Sequence, residues 1–331
     1  MSDAYEIREV EEPEAWDGFV RTAHGGTIFA TSTWLDCAER ATGCRAVRLG
    51  CFRGERLIAG VCGVEEHRGP LVRLATPVLT PHGGFLLAPV IAKGPAKLES
   101  EWHQAAPLLA SHLLRRYPHV RLVQGPGLDD HRPFTWAGWT ARVRYTYLLD
   151  PTDPEALWER VERRTRTVIR KAERAGFTVR ETRDMDLLGR QYRMVYDRGN
   201  GPAPVPAATV TRLAALALDA GLAEARTVVS PTGEVASIVV FVRGWDTVHA
   251  WVSGADPAFN PTGATSLLYW EYLTRAGLPR FDFVGANLPA VAHFKRGFGG
   301  DLVAYHALEG FRHAGVRALV VLGSRLRSSL R

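Results

Sequence analysis

The sequence lacks the long apolar runs that a membrane-spanning helix requires. Its longest apolar runs, such as Ile238–Val242 and Ala318–Gly323, fall far short of the roughly 20 residues that cross a bilayer. The N-terminal segment is acidic and polar, which is unlike a secretory signal peptide. The sequence therefore predicts a cytoplasmic protein without membrane insertion. Its 46% hydrophobic and 23% charged residues are typical of a globular one.

Cysteine is scarce, and no cysteine is spaced for a zinc site. The four cysteines contain no CxxC pair, and no histidine pair stands at zinc-finger spacing. In a cytosolic protein such cysteines mostly serve as small core residues. We therefore expect Cys37, Cys44, Cys51 and Cys62 to lie in a hydrophobic core, and we expect no metal site.

Lysine is rare compared with arginine, and the net charge is positive. The formal net charge is +6 and the pI is about 9.3. This balance suits a partner with phosphates, whether nucleic acid, nucleotide or coenzyme. Part of the excess follows from a composition rich in arginine and alanine, so the charge alone does not identify the partner.

The length of 331 residues suits two domains of about 150 residues each. A stretch rich in proline and aspartate, from Asp150 to Pro154, predicts the boundary. A strand, a Gly-Glu turn and a second strand are predicted at Gly54-Glu55 and again at Gly233-Glu234, which suggests a duplicated α/β unit. The predicted domains cover residues 1–150 and 151–310.

Periodicity predicts the remaining elements. The predicted strands are Ala46–Phe52, Leu57–Glu65, Leu71–Thr76, Val120–Gln124, Ala141–Leu149, Ala225–Ser230, Val235–Arg243, Thr247–Ser253, Arg280–Val284 and Leu302–Leu308. The predicted helices are Glu99–Tyr117, Asp153–Ala175, Thr209–Ala220, Thr262–Ala276 and Arg312–Leu330.

The most informative stretch runs from Arg280 to His306. It predicts a strand, a Gly-Ala-Asn loop and then a glycine-rich loop that carries Lys295 and Arg296. Open α/β sheets bind ligands at the carboxyl ends of their strands. There glycines let the backbone approach a ligand, and cations meet phosphate or a developing oxyanion. A surface loop with two solvated cations is the alternative that composition alone favours.

Near the C-terminal end the sequence reads Phe281-Asp282-Phe283-Val284-Gly285 and then Phe294-Lys295-Arg296-Gly297-Phe298-Gly299-Gly300. These residues resemble the C-terminal signature of the FemABX family of non-ribosomal peptidyl transferases, which also has members described only as GNAT-like acetyltransferases. The stretches Phe29–Leu35, Arg170–Gly176, Ala250–Ala255 and Leu267–Tyr272 are similar to further family motifs. The resemblance covers about residues 27 to 310.

This resemblance implies an α/β (α+β) fold with two tandem GNAT-like domains. Each domain would hold a mixed, largely antiparallel central sheet flanked by helices, and residues 311–331 would return to the first domain. It implies an aminoacyltransferase that moves an amino acid from aminoacyl-tRNA to the amine of a small molecule or peptide. Lys295 would stabilise the oxyanion and Phe294 would shape the site. Such an enzyme uses aminoacyl-tRNA as co-substrate and requires no cofactor and no metal.

Other candidate substrate-binding residues follow from the same motifs. They are Arg198, Trp251, Asp282, Asn287 and Arg296. Arg198 lies where the family has an arginine that contacts an acceptor phosphate, although a plain turn is an equal alternative. Asp282 lies on a strand expected to be central, where a structural hydrogen bond is the alternative role.

The predicted helix Asp153–Ala175 is rich in basic residues and offers a surface for tRNA. Its apolar residues Leu157, Val161, Val168 and Ala172 form a predicted buried stripe, and its basic residues lie away from that stripe. The candidate tRNA-binding residues are Arg164, Arg166, Arg170, Lys171 and Arg174. Each phosphate contact would add salt-sensitive affinity. An ordinary solvated face, supported by i, i+4 ion pairs, remains the alternative.

One departure from the family concerns the acceptor. Family members that modify UDP-linked peptidoglycan precursors carry a lysine shortly after the opening tryptophan. Here Trp34 is followed by Leu35–Glu39, which contains no lysine and two acids. A UDP-muramyl peptide is therefore in doubt, and a small metabolite or peptide antibiotic intermediate is an equal candidate.

Two further functions stay open. An acyl-CoA-dependent GNAT N-acyltransferase would use the same fold with acetyl-CoA or another acyl-CoA. Its usual glycine-rich pyrophosphate loop is missing from Asn260–Ser266, which has one glycine. The other alternative is an RNA-binding protein that keeps only the fold, and Lys295 with the intact Phe-Gly-Gly loop argues against it.

Overall fold

The computed structural model describes residues 4–69, 71–89, 95–150, 153–197, 203–275, 277 and 279–329. The chain forms two compact units. The first contains Met1–Val143 and Tyr305–Arg331, and the second contains Arg144–Ala304. The sequence placed a boundary near Asp150, whereas the division falls inside two strands, Thr140–Leu149 and Asp301–Phe311.

The first unit is built on a mixed sheet. Its strands are β1 (Tyr5–Glu9), β2 (Ala46–Arg53), β3 (Arg56–Arg68), β4 (Leu71–Ala75), β5 (Gly84–Leu87), β6 (His119–Val123), the start of β7 (Thr140–Leu149) and the end of β13 (Asp301–Phe311). Its helices are α1 (Pro13–Thr22), α2 (Ser32–Thr42), α3 (Pro95–Arg116), α4 (Arg132–Trp136) and α11 (Ala314–Ser329). The order is β1-β2-β3-β4-β6-β13, with β5 on β3. Every pair is antiparallel except β4 and β6.

The second unit repeats this plan. Its strands are the end of β7, β8 (Thr178–Thr182), β9 (Ala223–Val229), β10 (Val235–Arg243), β11 (Thr247–Ala255), β12 (Arg280–Asp282) and the start of β13. Its helices are α5 (Pro154–Arg160), α6 (Arg163–Arg174), α7 (Met185–Asp197), α8 (Ala207–Asp219), α9 (Ala264–Leu273) and α10 (Pro289–Arg296). The order is β7-β12-β11-β10-β9-β8, and only β11 and β12 run parallel.

The predicted fold class is therefore confirmed: each unit holds a mixed, largely antiparallel sheet flanked by helices. Each unit also has its own core. Large aromatic side chains fill both cores, among them Trp102 and Phe134 in the first and Phe241 and Phe281 in the second. Burial of this kind of surface contributes roughly 25 cal/mol per Å².

The cysteines were expected in a hydrophobic core, and three of the four are buried. All four are free thiols; Cys37, Cys51 and Cys62 are buried, and Cys44 is half-buried. Burial raises the pKa of both Cys51 and Cys62 to about 11, so these two thiols are protonated at neutral pH.

In the described part of the chain, no helix has the length and apolar character needed to cross a membrane.

The single helix predicted over Asp153–Ala175 is wrong, because the structure breaks it into α5 and α6. The predicted start is confirmed, since the Asp153 carboxylate accepts from the Ala156 amide at 2.9 Å. The break comes at Val161 and Glu162, whose backbones are extended. There the Glu162 amide donates to the Gly297 carbonyl at 2.9 Å, a partner far away in the sequence. The break shifts the helical phase of the residues that follow it, so Ile169, which is fully buried, joins the apolar stripe.

A second prediction needs correction. Lys295 and Arg296 were placed on a glycine-rich loop, whereas both lie in the last turn of α10. Pro289 occupies the first turn of this helix, where proline is well tolerated. The glycines follow the helix instead of carrying the cations.

Candidate functional site

A cavity of about 580 Å³ lies within the second unit. The wall includes side chains from α6, α7, α9, α10, β11 and the 3₁₀ helix Pro257–Thr262. Its aromatic and cationic members include Trp251, Phe259, Tyr269, Phe294, Arg164 and Lys295. Small polar groups also line it, among them Ser253, Thr265 and Ser266. Mostly apolar clefts with a few placed polar groups are the usual form of small-molecule sites.

Lys295 is anchored at this wall by two main-chain carbonyl groups. Its ammonium donates to the carbonyl oxygen of Val284 and, at 2.8 Å, to that of Gly285. Burial lowers the pKa of Lys295 to about 8, while the Asp282 carboxylate opposes this shift. An ammonium has three donors, and these two bonds are the ones it makes to described residues. One donor therefore remains for a ligand in the cavity.

The turn that holds Lys295 is itself held by Asp282. The Asp282 carboxylate accepts from the Val284 amide at 2.8 Å and from the Thr146 hydroxyl at 2.5 Å, and it contacts His249 at 3.1 Å. Val284 has φ of +53°, which is strained for a β-branched residue. Asp282 is 1% exposed and does not line the cavity, so it acts on the turn that carries the Lys295 carbonyl partners.

The glycines after α10 serve packing. A Cβ on Gly297 would lie 2.3 Å from the Thr165 hydroxyl oxygen, and one on Gly299 would lie 2.5 Å from the Arg160 carbonyl oxygen. Both contacts join this segment to the α5–α6 break. The expectation that these glycines admit a ligand is therefore wrong, since α5 and α6 already occupy that space.

The catalytic candidates and the substrate-binding candidates separate into two groups. Trp251, Phe294 and Lys295 meet at the cavity. Asn287 is exposed and bonds to the backbone of Tyr145, accepting from its amide at 3.0 Å. Arg296 is exposed and pairs with Glu162 at 2.8 Å. These two do not line the cavity. Arg198 lies outside the described residues.

The basic residues of α6 also differ among themselves. Arg164, Arg170, Lys171 and Arg174 are exposed, whereas Arg166 is half-buried. Arg166 pairs with Glu159 at 3.4 Å, and the Lys171 ammonium donates to the Pro261 carbonyl at 2.8 Å. The Arg170 guanidinium lies 5.1 Å from the Trp158 ring centre. Arg164 lines the cavity itself.

Sequence reasoning missed most of the residues that line the cavity, among them His293 and Glu162. His293 lines the cavity, and its Nε2 atom lies 3.3 Å from the Arg164 guanidinium. Glu162, also at the cavity, stands at the helix break. The sequence did contain a signal for His293, because this residue stands only two positions before Lys295. No local signal marks Glu162, because its position depends on the contact with Gly297.

Comparisons with known proteins agree with this architecture. A family model described as an acetyltransferase (GNAT) domain matches residues 159–296. A crystal structure of FemX aligns with a TM-score of 0.67 at 12% identity, covering 91% of this chain and 96% of FemX. The fold is of the FemABX type. The resemblance that the sequence motifs indicated is confirmed at this level.

Two further structures share the FemABX-type fold. L-PGS from Bacillus licheniformis aligns with a TM-score of 0.54 at 13% identity, covering 97% of this chain and 98% of that one. A tandem GNAT protein from the clavulanic acid biosynthesis pathway gives 0.53 at 13% identity, with coverage of 94% and 99%. No curated protein matches the sequence significantly. At these identities the comparisons establish the fold, and the activity has to be argued from the site.

Proposed function

We propose that this protein is an acyltransferase that moves the aminoacyl group of an aminoacyl-tRNA onto an amine. The observation that carries the proposal is the half-buried Lys295 ammonium, held by two carbonyl groups at the wall of the cavity with one donor remaining.

The chemistry requires little more than this donor and a fixed geometry. The acceptor nitrogen bonds to the ester carbonyl carbon, and negative charge grows on the carbonyl oxygen. The tetrahedral intermediate then collapses, the ribose oxygen of the tRNA leaves with the electron pair, and the nitrogen loses a proton. An ammonium aimed at the oxyanion stabilises the transition state by a few kcal/mol. The ester is already activated, so the route needs neither a nucleophilic residue nor a cofactor.

The composition of the wall supports a substrate with an apolar part. Trp251, Phe259 and Phe294 offer aromatic surface, while Ser253 and Ser266 offer hydroxyl groups that can orient an amine or a carbonyl. The exposed cations of α6 lie on the element that supplies Arg164 to the cavity. A tRNA held along α6 could therefore place its aminoacylated end at the cavity.

The test is transfer from charged tRNA. Bulk tRNA is charged with radiolabelled amino acids and incubated with the protein and with an extract fraction that supplies amines. We expect the label to leave the tRNA of one amino acid only when the extract is present, and to appear in a small product resistant to RNase. If no charged tRNA loses its label, the proposal is wrong.

A second candidate is an acyl-CoA N-acyltransferase. It is favoured by the acetyltransferase family model, whose residues 159–296 include every residue of the cavity. Gly263 counts against it: a Cβ there would lie 2.2 Å from the Val168 carbonyl oxygen, so the one glycine before α9 is in close contact with α6. Binding of acetyl-CoA by calorimetry, together with failure of tRNA transfer, would favour this candidate.

A further inference from the structure

A second cavity, of about 730 Å³, lies within the first unit and contains a pair of histidines. His131 immediately precedes α4, and His306 lies on β13. Their ring centres are 4.4 Å apart with an angle of 64° between the planes. Asp129 and Asp130 line the same cavity. None of these residues belongs to the site of the second unit.

The two rings have buried nitrogens that lack partners. Among the described residues, neither ring nitrogen of His131 has a hydrogen-bond partner, and the same holds for Nδ1 of His306. His131 is only 7% exposed. Buried polar atoms are nearly always hydrogen-bonded, so three orphaned nitrogens in one cavity require an explanation.

The backbone fixes both histidines in place. The His131 carbonyl accepts from the amides of Phe134 and Thr135, each at 3.1 Å, and the His306 carbonyl accepts from the Gln124 amide at 2.7 Å. These bonds fix the backbone from which the two rings project.

We infer that His131 and His306 form a binding site for a divalent transition-metal ion. Neutral imidazole is a ligand that suits ions such as Zn²⁺, Co²⁺ and Ni²⁺. Asp129 is exposed and lines the same cavity as the two rings. Water completes the coordination, and the Asp129 carboxylate accepts hydrogen bonds from that water. The sequence predicted no metal because the two histidines are far apart along the chain.

The neighbouring acidic cluster does not compete for the ion. Glu99, His103 and Asp130 lie within ligand distance of one another. However, Arg132 donates to Asp130 and to Glu99, each at 2.8 Å, and so supplies the positive charge there. Neither Glu99 nor His103 lines the cavity that holds the two rings.

Cobalt absorbance tests this inference on the full chain. A Cys44→Ser background removes the most accessible thiol. We expect one Co²⁺ per chain, with the visible absorbance of nitrogen and oxygen ligation. His131→Phe and His306→Phe keep a ring in each position and should each weaken binding by at least about tenfold. His67→Phe changes an exposed histidine and should leave binding unchanged.

Thermal unfolding gives the second measurement. Zn²⁺ should raise the Tm of the parent and of His67→Phe, because an ion that binds only the folded state stabilises it. It should not raise the Tm of His131→Phe or His306→Phe. The inference is wrong if the folded parent shows no saturable absorbance. It is also wrong if both ring variants bind as the parent does.

Discussion

The Lys295 ammonium donates to the carbonyl oxygen of Gly285 at 2.8 Å. Gly285 follows Val284, and both have positive φ, +69° and +53°. This left-handed pair turns consecutive carbonyls toward one ammonium. The buried Asp282 fixes the pair by accepting from the Val284 amide. A strained turn, a buried carboxylate and a cation thus form one connected group of residues beside the cavity. Each of the three can be tested separately.

Removal of the ammonium should slow transfer. Lys295→Ala is expected to lower turnover by about one to three orders of magnitude, as loss of an oxyanion donor does. The assay is amide formation from the charged tRNA that the protein accepts. Lys97→Ala, which changes an exposed lysine on α3, is the matched control. Near-normal turnover in a folded Lys295→Ala protein would remove Lys295 from the mechanism.

The lowered pKa of Lys295 should be visible in stability. Between pH 8 and the ordinary lysine value of 10.5, the unfolded chain holds the proton and the folded chain has released it. The contribution of this group to the free energy of unfolding therefore rises with pH across that window.

Urea denaturation of the wild type and of Lys295→Met, at about pH 7 and about pH 10, isolates this effect. The wild type should gain stability relative to the variant at the higher pH. An unchanged difference between the two proteins would mean that the Lys295 pKa is ordinary in the folded state.

At position 284, a glycine variant of the protein should be more stable than an alanine variant. The left-handed conformation costs a residue with a Cβ roughly 1–2 kcal/mol, and glycine avoids that cost. We expect Val284→Gly to exceed Val284→Ala by about 1 kcal/mol in free energy of unfolding. Val179, half-buried on β8, provides the control, since there alanine should be the more stable of the two. The same order at both positions would contradict the strained turn.

Glu224 should account for part of the acid sensitivity of the second unit. Burial alone would raise the pKa of Glu224, but hydrogen bonds from Tyr272, Arg243 and Arg275 lower it to about 2. Its stabilisation is present above pH 4.5 and is lost as the pH falls toward 2.

Glu224→Gln should therefore cost about 1–3 kcal/mol near pH 7 and flatten the loss of stability in acid. Chemical denaturation across this pH range measures both effects. Glu234→Gln changes an exposed carboxylate that bonds to Thr232 and should do neither. If the two variants behave alike, the network around Glu224 contributes nothing particular.

The surface of α6 should determine the salt dependence of tRNA binding. Arg170→Ala and Arg174→Ala should each weaken binding and lower the slope of log affinity against log salt by about 1, as loss of a phosphate contact does. Fluorescence anisotropy with labelled tRNA over a salt series measures the slope. Arg53→Ala, exposed in the first unit, is the control. Equal slopes in all proteins would leave α6 as a solvated face.

Much of the fold could be predicted from short segments. The strands β10 and β11 and the start of α5 follow from local patterns, because a turn or a cap depends on residues within a few positions. Gly54 and Gly233 have positive φ, as tight turns between strands require. Several elements were missed, including α1, α2 and α7, because their patterns are weak without the sheets against which they pack.

The candidate site divides in the same way. The resemblance to the family motifs identified Lys295, Phe294 and Trp251 in the sequence, and the structure brings all three to one cavity. It did not show that Asn287 and Arg296 have other partners, since those partners are distant in sequence. His131 and His306 carried no local signal for the same reason.

The sequence by itself determined many of the strands and helices, several of the turns and the family of motifs around Lys295, because each depends on neighbouring residues. Only the tertiary structure decided the break between α5 and α6 and the role of the glycines. Both depend on the contact of Glu162 with Gly297, which forms only when distant segments meet. The lowered pKa of Lys295 has the same origin, since burial is a property of the packed chain.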